Sequence, residues 1–306
     1  MTDNHQHTQG HGARHDHDQH DQHDQHDQHA RPGRDRQDEA DMAEILDLDA
    51  EVLGEHIASI IAWLPLKTAP RRIVDLGAGT GAGTFALLDR FPEAHVTAVD
   101  ASPGHLERLR RKACARGVDD RVRTVQADLD AADRPDLGTP DLVWASASMH
   151  HLADPARVLR DIHGMLAPGG LLAVVELAGF PRFLPQNAPE DRPGLEERCH
   201  AATERLHAEH MPYRGADWGP MLVAAGFALE GERTVAVDIE GAGDEAVGRY
   251  ALSGLLRIRG AVAQRLSAAD LAALDRLLDT DGPHSVLRRD DLSVRTERTV
   301  WAARLG

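Results

Sequence analysis

From residue 71 to residue 177 the chain alternates short apolar runs with stretches of helical periodicity, and this alternation limits its fold more than any other feature. The apolar runs cover 72–76, 95–100, 121–126, 141–145 and 171–177. Between them, Ser102-Pro103 opens a helix that Gly117 closes, and Asp154-Pro155 opens another that Pro168-Gly169-Gly170 closes. Five strands separated by helices imply a parallel, doubly wound α/β sheet buried on both faces.

The flanks are of a different character. Residues 1–29 hold nine of the nineteen histidines and six aspartates, with four consecutive Asp-Gln-His triplets, and no aromatic residue precedes Trp63. Such a segment has too little apolar surface to offset the entropy of ordering, so residues 1–37 are expected to be a disordered tail. Its imidazoles titrate near neutrality and could gather a divalent metal such as zinc, nickel or copper. From 38 to 64, Met42, Ile45, Leu46, Val52, Leu53, Ile57, Ile60, Ile61 and Leu64 recur at helical steps, predicting one or two amphipathic helices closed by Pro65. Beyond 177 a proline-rich loop leads to helices over 195–210 and 217–225 and a strand over 235–239. Helices over 244–266 and 267–278 follow, the second opened by a Ser-x-x-Asp cap (Ser267, Asp270), and then a final strand over 296–304. The helices between the last two strands read as a lid on one edge of the sheet.

Lysine and arginine total 34 against 50 acidic residues, a formal net charge of -16. That excess repels a phosphate backbone, and the basic clusters are short, so nucleic acid is a disfavoured partner. No run reaches the roughly eighteen apolar residues of a membrane span, and the N-terminus lacks an apolar signal core; no membrane partner and a cytoplasmic location are expected. Cys114 and Cys199 stand far apart, which argues against a disulfide framework or a cysteine-rich zinc site.

Val74-Asp75-Leu76-Gly77-Ala78-Gly79-Thr80-Gly81 follows the first strand and opens a helix. Glycines there let the chain turn tightly and let a ligand approach the amides. Asp100 ends the second strand, where a carboxylate can accept ribose hydroxyls. Both features also suit a dinucleotide fold, because Gly77, Gly79 and Ala82 satisfy G-x-G-x-x-G/A. Three details separate the two readings: Asp75 two residues before Gly77, the run Gln126-Ala127-Asp128-Leu129 after the third strand, and Leu166-Ala167-Pro168-Gly169-Gly170-Leu171 before the fifth. Together these motifs, over roughly 71–177, resemble the class I S-adenosylmethionine-dependent methyltransferases.

The resemblance implies a Rossmann-like, mostly parallel seven-stranded sheet with an antiparallel last strand, which residues 296–304 can supply. It also implies S-adenosylmethionine as cofactor, with Asp75, Gly77, Gly79 and Gly81 in the loop at the methionine end, Asp100 at the ribose, Asp128 with Leu129 at the adenine, and Ser146 nearby. The expected divisions are the tail at 1–37 and one methyltransferase domain at 38–306, made of N-terminal cap helices (38–70), a cofactor core (71–178), and a substrate cap with the last strands (179–306).

The acceptor side is sought at the open end of strand four, where Ser146-Ala147-Ser148-Met149-His150-His151 follows. An imidazole suits proton removal near neutral pH, so His150 or His151 is a candidate base, and Glu176 at the end of strand five is a second candidate for facing the acceptor or for bonding locally. Glu196, His200 and His207, with Glu204, share one helix face that could bind a metal or form a polar lid surface. Tyr213, Trp218, Arg249, Tyr250, Arg257 and Arg259 lie in cap segments. Those arginines could receive an acidic substrate or pair with lid acids, as Glu245 four before Arg249 suggests. Three helical segments around one opening favour a small-molecule acceptor. The alternatives are a protein methyltransferase, a nicotinamide-dependent oxidoreductase and a non-catalytic metal- or cofactor-binding protein.

Overall fold

The computed structural model describes residues 32–133 and 135–306, with residues 32–36 and 38 as backbone. The histidine-rich segment up to residue 31 lies outside the described residues. Helix α1 runs from Pro32 to Trp63 as one continuous helix, so residues 32–37, expected in the tail, are helical. The apolar spacing that predicted this helix begins only at Met42, because the residues of the first turns are polar.

Five parallel strands follow the expected pattern within one residue at each end: β1 (Arg72–Leu76), β2 (His95–Asp100), β3 (Val122–Gln126), β4 (Leu142–Ser146) and β5 (Leu171–Leu177). Helices α2 (Ala82–Arg90), α3 (Pro103–Arg116) and α4 (Pro155–Met165) connect them. Ser102 caps α3 by accepting the His105 amide, and Asp154 caps α4 by accepting the Arg157 amide. After β5 come α5 (Leu195–His210), α6 (Gly219–Ala224), β6 (Phe227–Glu240), α7 (Glu245–Val262), α8 (Ala268–Leu278) and β7 (Ser293–Leu305).

The seven strands are ordered β3-β2-β1-β4-β5-β7-β6. All pairs from β3 to β5 are parallel, whereas β7 is antiparallel to both β5 and β6. The chain winds outward from β1 to β3 and then returns to place β4 on the other side of β1. The crevice between their carboxyl ends is therefore the switch point, where this type of sheet takes ligands. Strand β6 is much longer than the 235–239 read from alternation. It is the sheet edge, most of its residues are exposed, and polar side chains hide the pattern although the backbone pairs with β7 from Phe227 to Glu240.

Alternate residues serve the two faces of the sheet. Val74, Leu76 and Trp301 pack with Leu159 and Ile162 of α4 and with Trp218 and Leu222. Ile73, Trp144 and Val300 pack on the other side with Ile60 and Ile61 of α1 and Leu87 and Leu88 of α2. The cap has its own core, in which Leu48 and Leu53 of α1 meet Phe183, Leu195, Tyr250, Leu255, Ile258 and Leu274. One helix thus belongs to both bodies of packing, with Ile57, Ile60 and Ile61 against the sheet and Leu48 and Leu53 against the cap.

Candidate active site

A cavity of about 500 Å³ lies at the carboxyl ends of the parallel strands, under α1 and α7. A larger open groove of about 780 Å³ between α1, α2 and α3 contains none of the expected site residues. The cavity brings together Asp75, Gly77, Gly79, Asp100, Asp128, Leu129, Ser146, His150 and His151. These residues come from four separate strand ends, and only the parallel winding makes them neighbours.

The loop after β1 is built for close approach. Gly79 has φ +53, and a Cβ there would stand 3.1 Å from Leu46 Cδ1. The expectation that its amides await a ligand is corrected: those of Gly77 and Ala78 donate to the Val99 carbonyl at 2.8 and 2.9 Å, and that of Gly79 donates to Asp100 Oδ2 at 2.8 Å. Because these amides are committed within the protein, they cannot cradle a pyrophosphate, which disfavours a dinucleotide. Gly81, also expected in the binding loop, does not line the cavity. It caps α2 at φ +98, and a Cβ would collide with the Phe85 ring at 2.6 Å, so helix packing accounts for it.

Asp75 is 2 % exposed and accepts the Thr84 hydroxyl at 2.6 Å. Burial first, and next the charge of Asp100, push its carboxyl up to about 7. Asp100 shifts the opposite way. Burial opposes its ionisation, yet His105 and the amides of Ser102 and Gly79 outweigh it and hold the carboxyl below its ordinary value. Those three bonds, at 3.3, 2.9 and 2.8 Å, use three of roughly four acceptor positions on the carboxylate, leaving one toward the cavity. Asp128 is exposed, and its Oδ1 accepts the Asp130 amide at 2.9 Å. Asp130, which no sequence pattern singled out, accepts the amides of Ala153 and Asp154 and so ties the loop after β3 to the loop after β4.

The loop after β4 is held from several sides. Ser148 Oγ donates to the Leu76 carbonyl at 2.8 Å and the Ala147 amide donates to the Val175 carbonyl at 2.8 Å. Ala147 has φ 52, the left-handed conformation unusual for a residue with a side chain, and these bonds over-determine it. Glu176 does not line the cavity, contrary to its place among residues facing the acceptor. Its Oε1 accepts the amides of Met149 and His150 at 2.9 and 3.2 Å, and its Oε2 lies 2.6 Å from His150 Nδ1. A carboxylate at Nδ1 sets the ring tautomer with the proton there and leaves Nε2 as the acceptor. The His151 ring packs against that of His150 with centroids 4.2 Å apart and planes tilted by 39°. Partial burial, followed by the neighbouring His150, lowers it to about 4.

The remaining candidates separate by what lies across from them. Glu196 is consumed by the amides of Phe183 and Leu184 at 2.7 and 2.9 Å, and His200 lies 4.0 Å from it. No group of three or more His, Cys, Asp or Glu that could hold a metal exists among the described residues. Trp218 is buried in the sheet-face core with Tyr213 packed against it. Arg249 pairs with Glu51 at 3.3 Å and Arg259 with Asp275 at 2.8 Å. Tyr250 and Arg257 line the cavity, joined by residues that the sequence did not mark for the site: Met42, Leu46, Asp49, His105, Phe180, Arg214 and Arg298. Asp49 accepts two bonds from Arg298, both 2.7 Å, and one from the Tyr250 hydroxyl at 2.7 Å, joining α1, α7 and β7 over the site.

The methyltransferase domain family matches this chain over residues 74–172. Residues 74–172 belong to the class I methyltransferases. The matched region runs from β1 to β5 and contains every expected cofactor residue, and the cofactor of this family is S-adenosylmethionine. Among similar curated proteins, a trans-aconitate 2-methyltransferase of Methylobacterium radiotolerans is 40% identical over 38% of this chain and 42% of its own length. A demethylmenaquinone methyltransferase of Thermus thermophilus is 40% identical over 39% of this chain and 53% of its own. A malonyl-[acyl-carrier protein] O-methyltransferase of Halorhodospira halophila is 35% identical over 55% and 53%. The chain thus spans about half the length of these relatives. A solved structure of a proposed methyltransferase from Bacillus halodurans C-125, 20% identical, covers 81% of this chain and 97% of that one with a TM-score of 0.50, a likeness of fold. No described helix is long and apolar enough to cross a membrane.

Proposed function

We propose that this protein transfers a methyl group from S-adenosylmethionine to a small-molecule acceptor bound in the cavity under α1 and α7. The observation that carries the reading is the convergence, on one cavity, of the Asp75–Gly79 loop, the Asp100 carboxylate, the Asp128–Leu129 turn and the His150–His151 pair. In this reading Gly77 and Gly79 leave room for the methionine end beside Asp75, Asp100 takes a ribose hydroxyl, Asp128 and Leu129 border the adenine, and Ser146 lies between the two halves. Gly81 supports the loop from behind. S-adenosylmethionine supplies a methyl group on a sulfonium, which leaves as a neutral thioether.

The chain's own task is then to align the acceptor and, where the acceptor is a hydroxyl or ammonium, to take its proton. His150, with Nδ1 held by Glu176, offers Nε2 for this, and Glu176 is a positioning residue. His151 stays neutral at neutral pH beside it. The cavity of about 500 Å³ must hold donor and acceptor together, which favours a small acceptor over a protein side chain on its backbone. The relatives are named for three different acceptors, so they support the donor and leave the acceptor to the cap. The test is calorimetric titration with S-adenosylhomocysteine, followed by retention of a labelled methyl group in small-molecule products. No binding of S-adenosylhomocysteine by the folded protein would sink the reading.

A further inference from the structure

The cap side of the cavity carries more positive charge than the protein itself neutralises. Of the three arginines that line it, Arg298 is matched by both oxygens of Asp49. Glu176 is committed to His150 and the two amides beside it. Arg214 and Arg257 remain, and among the described residues neither has a carboxylate within ion-pair distance. Arg257, exposed at the cavity wall, makes its bond to Met42 Sδ at 3.4 Å, a weak acceptor. Arg214 lies with Cζ 3.8 Å over the Phe180 ring, and its Nη2 is buried without a partner.

Elsewhere in the cap most arginines have a partner. Arg249, Arg259, Arg265 and Arg276 each meet an acid, as do Arg192 and Arg198, which share Asp270. Arg214 and Arg257 differ from these in lining the cavity without an acid partner, whereas Arg205 and Arg288, which also lack one among the described residues, are exposed and lie outside the cavity. Burial and then repulsion from Arg257 bring Arg214 down to about 10, which leaves it charged at neutral pH, while Glu176 and Glu204 attract it without pairing. A buried guanidinium N–H with no acceptor is unfavourable, and the Phe180 ring beneath Arg214 fixes the plane of its fork. What is missing is a planar acceptor with two oxygens on the cavity side.

We propose that Arg214 and Arg257 hold a carboxylate of the methyl acceptor, so that the acceptor is a small organic acid. This rests on the methyltransferase reading of the same cavity. His150 and His151 line the same cavity as the two arginines. The acid group thus enters the half of the site away from the glycine loop, anchored by fork-to-carboxylate pairing and bordered by Phe180.

The experiment uses the full chain, first titrated with S-adenosylhomocysteine and then, as that complex, with succinate, tricarballylate, neutral succinamide and inorganic phosphate. The expected result is binding of the carboxylates and no binding of succinamide. Arg214→Gln, which keeps a planar group over Phe180, and Arg257→Gln should each weaken carboxylate binding by about tenfold or more while S-adenosylhomocysteine affinity is unchanged. Arg214→Lys, which keeps the charge but not the fork, should fall between wild type and Arg214→Gln. Equal binding of succinate and succinamide overturns the proposal, as does no carboxylate binding at millimolar concentration. Tighter binding of phosphate than of either carboxylate also overturns it, as does carboxylate affinity indifferent to both substitutions. Failure of S-adenosylhomocysteine to bind would instead remove the underlying methyltransferase reading.

Discussion

His150 Nδ1 lies 2.6 Å from Glu176 Oε2 in a pair whose side chains are 4 % and 3 % exposed, while the other carboxylate oxygen accepts the Met149 and His150 amides. One side chain on β5 therefore sets both the backbone and the ring of the loop after β4. Glu176→Ala should lower unfolding free energy by about 2–4 kcal/mol in urea denaturation, because two buried amides and a ring nitrogen lose their acceptor. His150→Ala should lower turnover of an identified acceptor by about a hundredfold while S-adenosylhomocysteine affinity stays within about twofold. Weakened cofactor binding with near-normal turnover at saturation would assign the histidine to the donor side instead.

Asp75 gives a pH dependence with a definite sign. Burial pushes its carboxyl up to about 7 in the folded chain, well above the ordinary aspartate value of about 4. Between those values the folded state holds a proton that the unfolded state has released, so this group's contribution to stability falls as pH rises from about 4 to about 7. Asp75→Asn keeps an acceptor for the Thr84 hydroxyl without the buried charge. Its melting temperature should exceed that of wild type at about pH 8, with the gap closing toward about pH 5. An equal gap at both values would show that Asp75 titrates as an ordinary carboxylate.

The glycine loop and the β2 carboxylate can be tested without any acceptor. Asp100→Ala should weaken S-adenosylhomocysteine binding by about 1.5–3 kcal/mol. Gly79→Val should nearly abolish it, since a branched residue at φ +53 is strained and its Cβ would press on Leu46. Adding Leu46→Ala should not restore binding, because the backbone strain remains; recovery would mean that the collision alone matters.

Asp49 joins α1 to α7 and β7 through Tyr250 and Arg298, both nearly fully buried. Asp49→Ala leaves a buried guanidinium without its counter-charge and should cost about 3–5 kcal/mol in chemical denaturation. A loss below about 1 kcal/mol would mean that Arg298 finds water or another acid.

What the sequence by itself determined is the layered core and the places where its strands deliver side chains. Strands β1 to β5 were legible within a residue because each is a short apolar run bounded by turns or capped helices, and the loop and Asp100 were legible because a parallel sheet puts such residues at fixed offsets after strand ends, whereas Asp128 was reached through the family resemblance. Where burial does not write a pattern, the reading stopped short: the polar first turns of α1, and the exposed edge strand β6, of which only 235–239 alternates. The site's charges were decided by tertiary structure alone. Arg249, Arg257 and Arg259 share one helix, yet Arg249 meets Glu51, Arg259 meets Asp275, and only Arg257 is left to the cavity. Asp49 and Arg298 are 249 positions apart, and Glu176 turns to His150 rather than to the cavity. Each outcome depends on which partner lies across a packed interface. A charged side chain carries the same local signal whether an acid of its own chain neutralises it or none does, so only the packed structure separates the two.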